Sequence, residues 1–255
     1  MLPREQLSRA LSSAAKPALV AFVTAGYPQR DRFLESLREI ATAADAVELG
    51  VPFSDPMADG VTIQRSSHAA IRSGVSLKWI LDELARRDFE LPAPVLLMSY
   101  LNPLLALGFD RLAARAAEVG VSGLIVPDLP FEECGPLHAA LKRHGLALVQ
   151  LVTPATPADR LARVCAASEG FVYAVTRTGI TGSAAGLPAE LSEYLTRVKA
   201  ASAIPVCAGF GVRTPEQVRA IGAHADGVIV GSALVEVLER GEDPRLFLEQ
   251  LRSRS

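Results

Sequence analysis

The stretch AVELGVPFSDPMADGVTIQRSSHAAIRSG, residues 46 to 74, holds in one copy the pattern that decides the fold. AVELG is an apolar run of strand length, the following Pro-, Asp- and Gly-rich segment is turn chemistry, and TIQRSSHAAIRSG returns to helical spacing. Strand residues alternate sides. If Val47 and Leu49 face a covering layer of helices, Glu48 points the other way.

The same unit recurs along the chain. Apolar runs of strand length lie at ALVAFVTAG (18 to 26), AVELG (46 to 50), PVLLMSY (94 to 100), GLIVPD (123 to 128), LALVQLVTP (146 to 154), FVYAVT (171 to 176), IPVCAGFG (204 to 211) and DGVIVGS (226 to 232). Helix-period stretches such as RDRFLESLREIATAA, DRLAARAAEVG and PADRLARVCAAS separate them. Near-continuous apolar strands joined by crossover helices predict an α/β fold with a parallel sheet covered on its outside. Eight such units suit a closed (β/α)8 TIM barrel, with a doubly wound open sheet as the alternative. Two further helical patterns, PREQLSRALSSAA before the first strand and SLKWILDELARR before the third, decorate the repeat. No linker or low-complexity tract interrupts it, so residues 1–255 are expected to form a single barrel domain.

Composition narrows the function. In 255 residues, 26 basic side chains stand against 28 acidic ones for a net charge of −2, which gives no electrostatic reason to expect a nucleic acid or an anionic membrane as partner. Cys134, Cys165 and Cys207 lack metal-type spacing and sit in apolar patterns, as small core residues of a reducing compartment do. Arg4, Glu5, Arg9 and Lys16 interrupt the apolar positions of the N-terminus, and no window has the roughly 18 apolar residues of a membrane span. A cytoplasmic protein is expected.

A barrel places its chemistry at the C-terminal ends of its strands. There the sequence collects Glu48, Tyr100, Asn102, Asp128, Thr153 and Tyr173, followed by the loop TRTGITGS. A carboxylate at Glu48 is partly desolvated, which raises its pKa toward the range of a general acid or base. The alternative is a structural ion pair with a basic residue on another strand, against which stands the lack of any basic residue in the strand runs before Arg177. Asp59, beside Gly60, could cap the next helix or face the pocket, and spacing leaves both open. Gly209 and Gly211 end the seventh run, and Gly231 with Ser232 ends the eighth and opens a short helix. Backbone N–H groups at such turns bind a phosphate without net positive charge. His68, His138, His144 and His224 fall in helix patterns, with no nucleophile elbow and no metal-ligand spacing in the chain. The residues alone point to a barrel enzyme acting on a phosphorylated small molecule by carboxylate acid–base chemistry, without a metal.

AFVTAGYP, VELGVPFSDPMADGVTIQRSS, VLLMSYLNPLLALGF, GLIVPDLPFEE, FVYAVTRTGITG, PVCAGFGVRTPEQV and ADGVIVGSALV resemble, in order and over essentially the whole chain, the α subunit of tryptophan synthase. The resemblance implies a barrel that cleaves indole-3-glycerol phosphate, retro-aldol fashion, into indole and glyceraldehyde 3-phosphate. It implies no cofactor in this chain. It also implies a pyridoxal-phosphate β subunit that receives the indole in an α2β2 tetramer. Glu48 matches the family's general acid/base and Asp59 the carboxylate at the indole nitrogen. Phe22, Tyr100, Tyr173 and Phe210 match the walls around the indole and glycerol. Gly182, Gly211, Gly231 and Ser232 match the phosphate site, and Thr181 the lid threonine. Three residues depart from the usual pattern: Val61 where proline is frequent, and Thr176 and Thr178 where serine and alanine are usual. A stand-alone lyase releasing free indole, and a regulatory subunit that activates the β partner, are the alternatives.

Overall fold

The computed structural model describes residues 1–176, 187–209 and 211–253. Its strands are β1 (Ala18–Thr24), β2 (Ala46–Gly50), β3 (Val95–Met98), β4 (Val121–Ile125), β5 (Ala147–Val152), β6 (Val172–Val175), β7 (Val206–Gly209) and β8 (Gly227–Val230). Each pairs in parallel with the next, and β8 pairs with β1, so the sheet is a closed barrel rather than the open sheet held as the alternative. All eight apolar runs are strands, although β4 starts two residues before the run that marks it.

Helices cover the barrel in chain order: α1 (Pro3–Ser13), α2 (Phe33–Ala43), α3 (Val61–Arg72), α4 (Leu77–Arg86), α5 (Leu101–Leu107), α6 (Phe109–Glu118), α7 (Gly135–Arg143), α8 (Ala158–Ala167), α9 (Ala189–Ala201), α10 (Pro215–Gly222), α11 (Ser232–Glu239) and α12 (Pro244–Arg252). The extra helices expected before β1 and before β3 are α1 and α4. Two were not foreseen. In α5, Pro103 falls in the first turn, where its missing N–H removes no intrahelical bond. In α12, Asp243 caps the helix by accepting from the backbone N–H groups of Arg245 and Leu246, with Pro244 at the first position.

Strand alternation sorts the core into two layers. Val47, Leu49, Leu97, Leu148 and Val230 pack outward against the helices. Ala18, Val20, Leu96, Val149, Phe171 and Cys207 fill the barrel interior. Leu7 and Leu11 of α1, both fully buried, belong to that inner layer and close the N-terminal end of the barrel. Three acidic residues stitch this floor together. Asp45 precedes β2 and accepts the Leu19 N–H at 2.7 Å. Glu169 precedes β6 and accepts the Leu148 N–H at 3.2 Å. Asp226 precedes β8 and accepts the Val206 N–H at 3.1 Å. Each caps the start of the neighbouring odd-numbered strand and also meets a cation: Arg252, Arg4, or Lys16 with Lys199. Among the described residues no helix is long and apolar enough to cross a membrane. The three cysteines are buried and free.

Candidate active site

A cavity of about 760 Å³ opens at the C-terminal ends of the strands. Glu48 lies beneath it. In register it faces Phe22 on β1 and Leu96 on β3, and it is fully buried. Neither carboxyl oxygen has a hydrogen-bond partner among the described residues, so the ion pair held as the alternative is not present there. Desolvation, with no partner to offset it, pushes its pKa up to about 8. The alternation rule gives the side correctly but not the height. Glu48 points into the barrel without lining the cavity, while Phe22, Met98, Tyr173 and Ile229 form the surface above it.

Asp59 lines the cavity. It does not cap α3, whose N-cap is Gly60, and its backbone oxygen accepts from the Gln64 amide at 2.8 Å. Burial raises the Asp59 pKa, and a hydrogen bond from the Tyr100 hydroxyl pulls the other way. Tyr100 differs from the expectation that it forms the pocket wall. It is buried beneath the turn rather than exposed to the cavity, stacked on Phe53 with ring centroids 4.9 Å apart. Its hydroxyl accepts the Ala58 N–H at 2.9 Å. Tyr100 therefore holds the turn that carries Asp59. Burial raises its own pKa to about 12, and the nearby Asp59 and Asp128 carboxylates add to the rise.

Tyr173 and Phe22 do line the cavity. Tyr173 is buried, and desolvation followed by the Glu48 and Asp59 charges drives its pKa well up, which keeps it a neutral phenol. Phe22 is seated by absent side chains: a Cβ on Gly50 would stand 2.6 Å from the tip of its ring, and one on Gly231 3.4 Å from its side. Gly211, Gly231 and Ser232 line the same cavity. Gly211 has φ +72°, a conformation that favours glycine. No side chain caps α11, so its first-turn N–H groups face the opening without an intrahelical partner. Thr178, Thr181, Gly182 and Phe210 lie outside the described residues. Thr176 is fully buried, and its hydroxyl has no hydrogen-bond partner among the described residues.

Asp128, one of the polar strand-end residues, accepts the Leu101 N–H at 2.9 Å and so caps α5. Sequence reasoning missed Met98, Phe131, Arg160 and Arg213 on the cavity walls. Arg213 was within reach, two residues past Gly211 in the same quoted turn. Phe131 arrives from a short 3-10 turn after β4, whose course no periodicity describes, and Arg160 from the first turn of α8.

Such a mouth on such a scaffold defines a class, the (β/α)8 enzymes that work by moving protons on a small substrate. Residues 9–254 match the family described as tryptophan synthase alpha chain, and the chain belongs to that family. It is 44% identical over 247 residues to the tryptophan synthase alpha chain of Desulfovibrio desulfuricans, covering 96% of this chain and 97% of that one. It is 42% identical over 251 residues to the alpha chain of Geobacter sulfurreducens, covering 95% and 94%. Among solved structures, it is similar to tryptophan synthase of Mycobacterium tuberculosis at TM-score 0.85 and 36% identity, covering 98% of this chain and 95% of that one. The alpha subunit from Legionella pneumophila gives 0.85 and 33%, covering 98% and 96%. The family is one of lyases that cleave indole-3-glycerol phosphate to indole and glyceraldehyde 3-phosphate.

Proposed function

We propose that this barrel carries out the family's cleavage with Glu48 as the proton-transfer group and Asp59 as the carboxylate at the indole nitrogen. The observation that carries the reading is the unpaired Glu48 carboxyl under a cavity whose rim bears Asp59. The C–C bond joins indole C3 to the hydroxyl-bearing carbon of the glycerol chain. It can break once C3 is protonated, because the released electron pair then restores the C2–C3 double bond of indole. With its pKa raised to about 8, Glu48 is protonated at neutral pH and can give that proton. As carboxylate it then takes the proton of the glycerol hydroxyl while that carbon becomes the aldehyde. The group ends as it began. The carboxyl is enclosed, so reaching substrate requires its side chain to move toward the cavity.

Protonation at C3 places positive charge on the ring nitrogen, and Asp59 accepts the N–H and stabilises that charge in a largely dehydrated setting. The cation in turn favours the ionised form of Asp59, against the desolvation that raises its pKa. Tyr100 positions the Asp59 turn, and Phe22 and Tyr173 enclose the indole and glycerol. Gly211, Gly231 and Ser232 receive the phosphate at the N-terminus of α11. Thr181, Gly182 and Phe210 complete the set on the strength of the sequence resemblance. We read residues 1–255 as one barrel domain, supported by the membership of all eight strands in one closed sheet. We place it in the cytoplasm, in an α2β2 complex whose β subunit carries the pyridoxal phosphate. Exposed Met57 and Leu105 near the mouth supply apolar surface for that partner. Indole release from indole-3-glycerol phosphate, measured with and without a β subunit, tests the reading. No release in either condition overturns it.

A further inference from the structure

The phosphate end read above consists of glycine turns and a helix N-terminus, none of which carries a full charge. A phosphate monoester brings roughly −1.5 to −2 charges near neutral pH. Among the described residues lining the cavity, two are cationic, Arg160 and Arg213. Arg160 stands on α8 and pairs with Glu132, beyond β4 and β5. Arg213 stands two residues beyond Gly211 and lines the same cavity as Gly231 and Ser232.

The position of Arg213 is fixed at both ends. Its backbone N–H is accepted by the Gln217 side chain at 2.7 Å. Its guanidinium forks onto Glu236, with Nη1 to Oε2 at 2.6 Å and Nη2 to Oε1 at 2.9 Å. Glu236 lies four residues after Ser232 on α11, hence on the same face of the helix. Its Oε1 also accepts the Thr62 hydroxyl at 3.2 Å, and Thr62 opens α3 just after Asp59 and Gly60. The Arg213 hydrogen bond holds the Glu236 carboxyl below its usual range. The fork uses two of the five guanidinium N–H donors and leaves three for another acceptor.

We infer that Arg213 is a further substrate-binding residue of this barrel, specific for the phosphate group, and that Glu236 is its counter-ion, holding it at the rim and competing with the phosphate for it. The inference rests on the reading of Gly211, Gly231 and Ser232 as the phosphate end. It has a consequence that a merely structural ion pair lacks. Breaking the pair from the two sides changes anion affinity in opposite directions, because one variant removes the cation and the other frees it.

Calorimetric titration of the full chain with inorganic phosphate and with glycerol 3-phosphate tests this. Arg213→Ala is expected to raise Kd about tenfold, the size of one charged hydrogen bond. Arg213→Lys retains the charge and should recover part of that loss, and Glu236→Gln should bind at or below the wild-type Kd. The Arg213→Ala loss should shrink as salt rises. In the cleavage assay the same variant should raise KM with kcat within about twofold, since the phosphate is remote from the breaking bond. An Arg213→Ala Kd within twofold of wild type overturns the inference, as does a Glu236→Gln variant that binds more than twofold worse. The titrations need no turnover, so a chain that failed to release indole but showed the opposed effects would lose the reaction assignment and keep this one.

Discussion

The two ends of the barrel treat acidic side chains in opposite ways. At the floor, Asp45, Glu169 and Asp226 each accept a strand-starting N–H and meet a cation. At the mouth, Glu48 is fully buried with neither oxygen engaged among the described residues. The pKa directions follow. Burial pulls Asp226 up, but the Val206 N–H, Lys16 and Lys199 outweigh it and leave the group below its ordinary value. Glu48, with burial alone acting, goes to about 8. A satisfied carboxylate stabilises the fold, whereas an unsatisfied one weakens it and is available to react.

The largest test of this contrast is Glu48→Gln. Indole release should fall by about 10²- to 10⁴-fold, the range of general acid–base contributions. A rate within a few-fold of wild type would remove the distinction between the two ends. Asp59→Asn should cost about 10²-fold or more in kcat, as loss of a charge-stabilising group does, and a change confined to KM would reduce Asp59 to a binding residue. Stability against pH sharpens the comparison further. Glu48 has a folded pKa of about 8 against an ordinary value of 4.5, so in that window the native chain holds a proton that the unfolded chain has released. Its contribution is therefore fully present below about pH 4.5, declines as pH rises toward 8, and is flat above, a loss on the order of a few kcal/mol. Urea midpoints from pH 5 to 8 should slope downward in wild type and less steeply in Glu48→Gln. Asp226 runs the other way: its depressed pKa gives stability that is present above the unfolded value and lost as pH falls through the folded one. Asp226→Asn, the smallest effect, should cost about 1–2 kcal/mol by chemical denaturation and leave kcat unchanged. A loss of activity without a loss of stability would place the catalytic influence at the wrong end.

Much of this was legible in the chain because apolar run length and spacing are local properties. The eight strands follow from near-continuous apolar runs, the extra helices α1 and α4 from three- and four-residue spacing, and the inward side of Glu48 from strand alternation. Depth does not, because the height of a residue in a barrel depends on the stagger between strands that pair only after folding. Glu48 is accordingly fully buried and does not line the cavity, although its in-register neighbour Phe22 does. Asp59 and Asp128 are both acidic residues near strand ends and both line the cavity, yet only Asp128 also caps a helix, α5. What separates them is which helix N-terminus arrives alongside. Tyr100 shows the same limit, since the turn that folds over its hydroxyl decides whether it meets ligand or backbone. α12 was legible and overlooked, because Asp243 followed by Pro244 is a helix-start signal.

α1, with Leu7 and Leu11 sunk into the inner layer, makes the barrel, among the described residues, a vessel whose doorway is the C-terminal rim. Substrate, aldehyde and indole must all cross the same rim, where Met57, Val61 and Leu105 are exposed. A partner that takes indole directly has to seat itself over that doorway, and while seated it also governs when the next substrate enters.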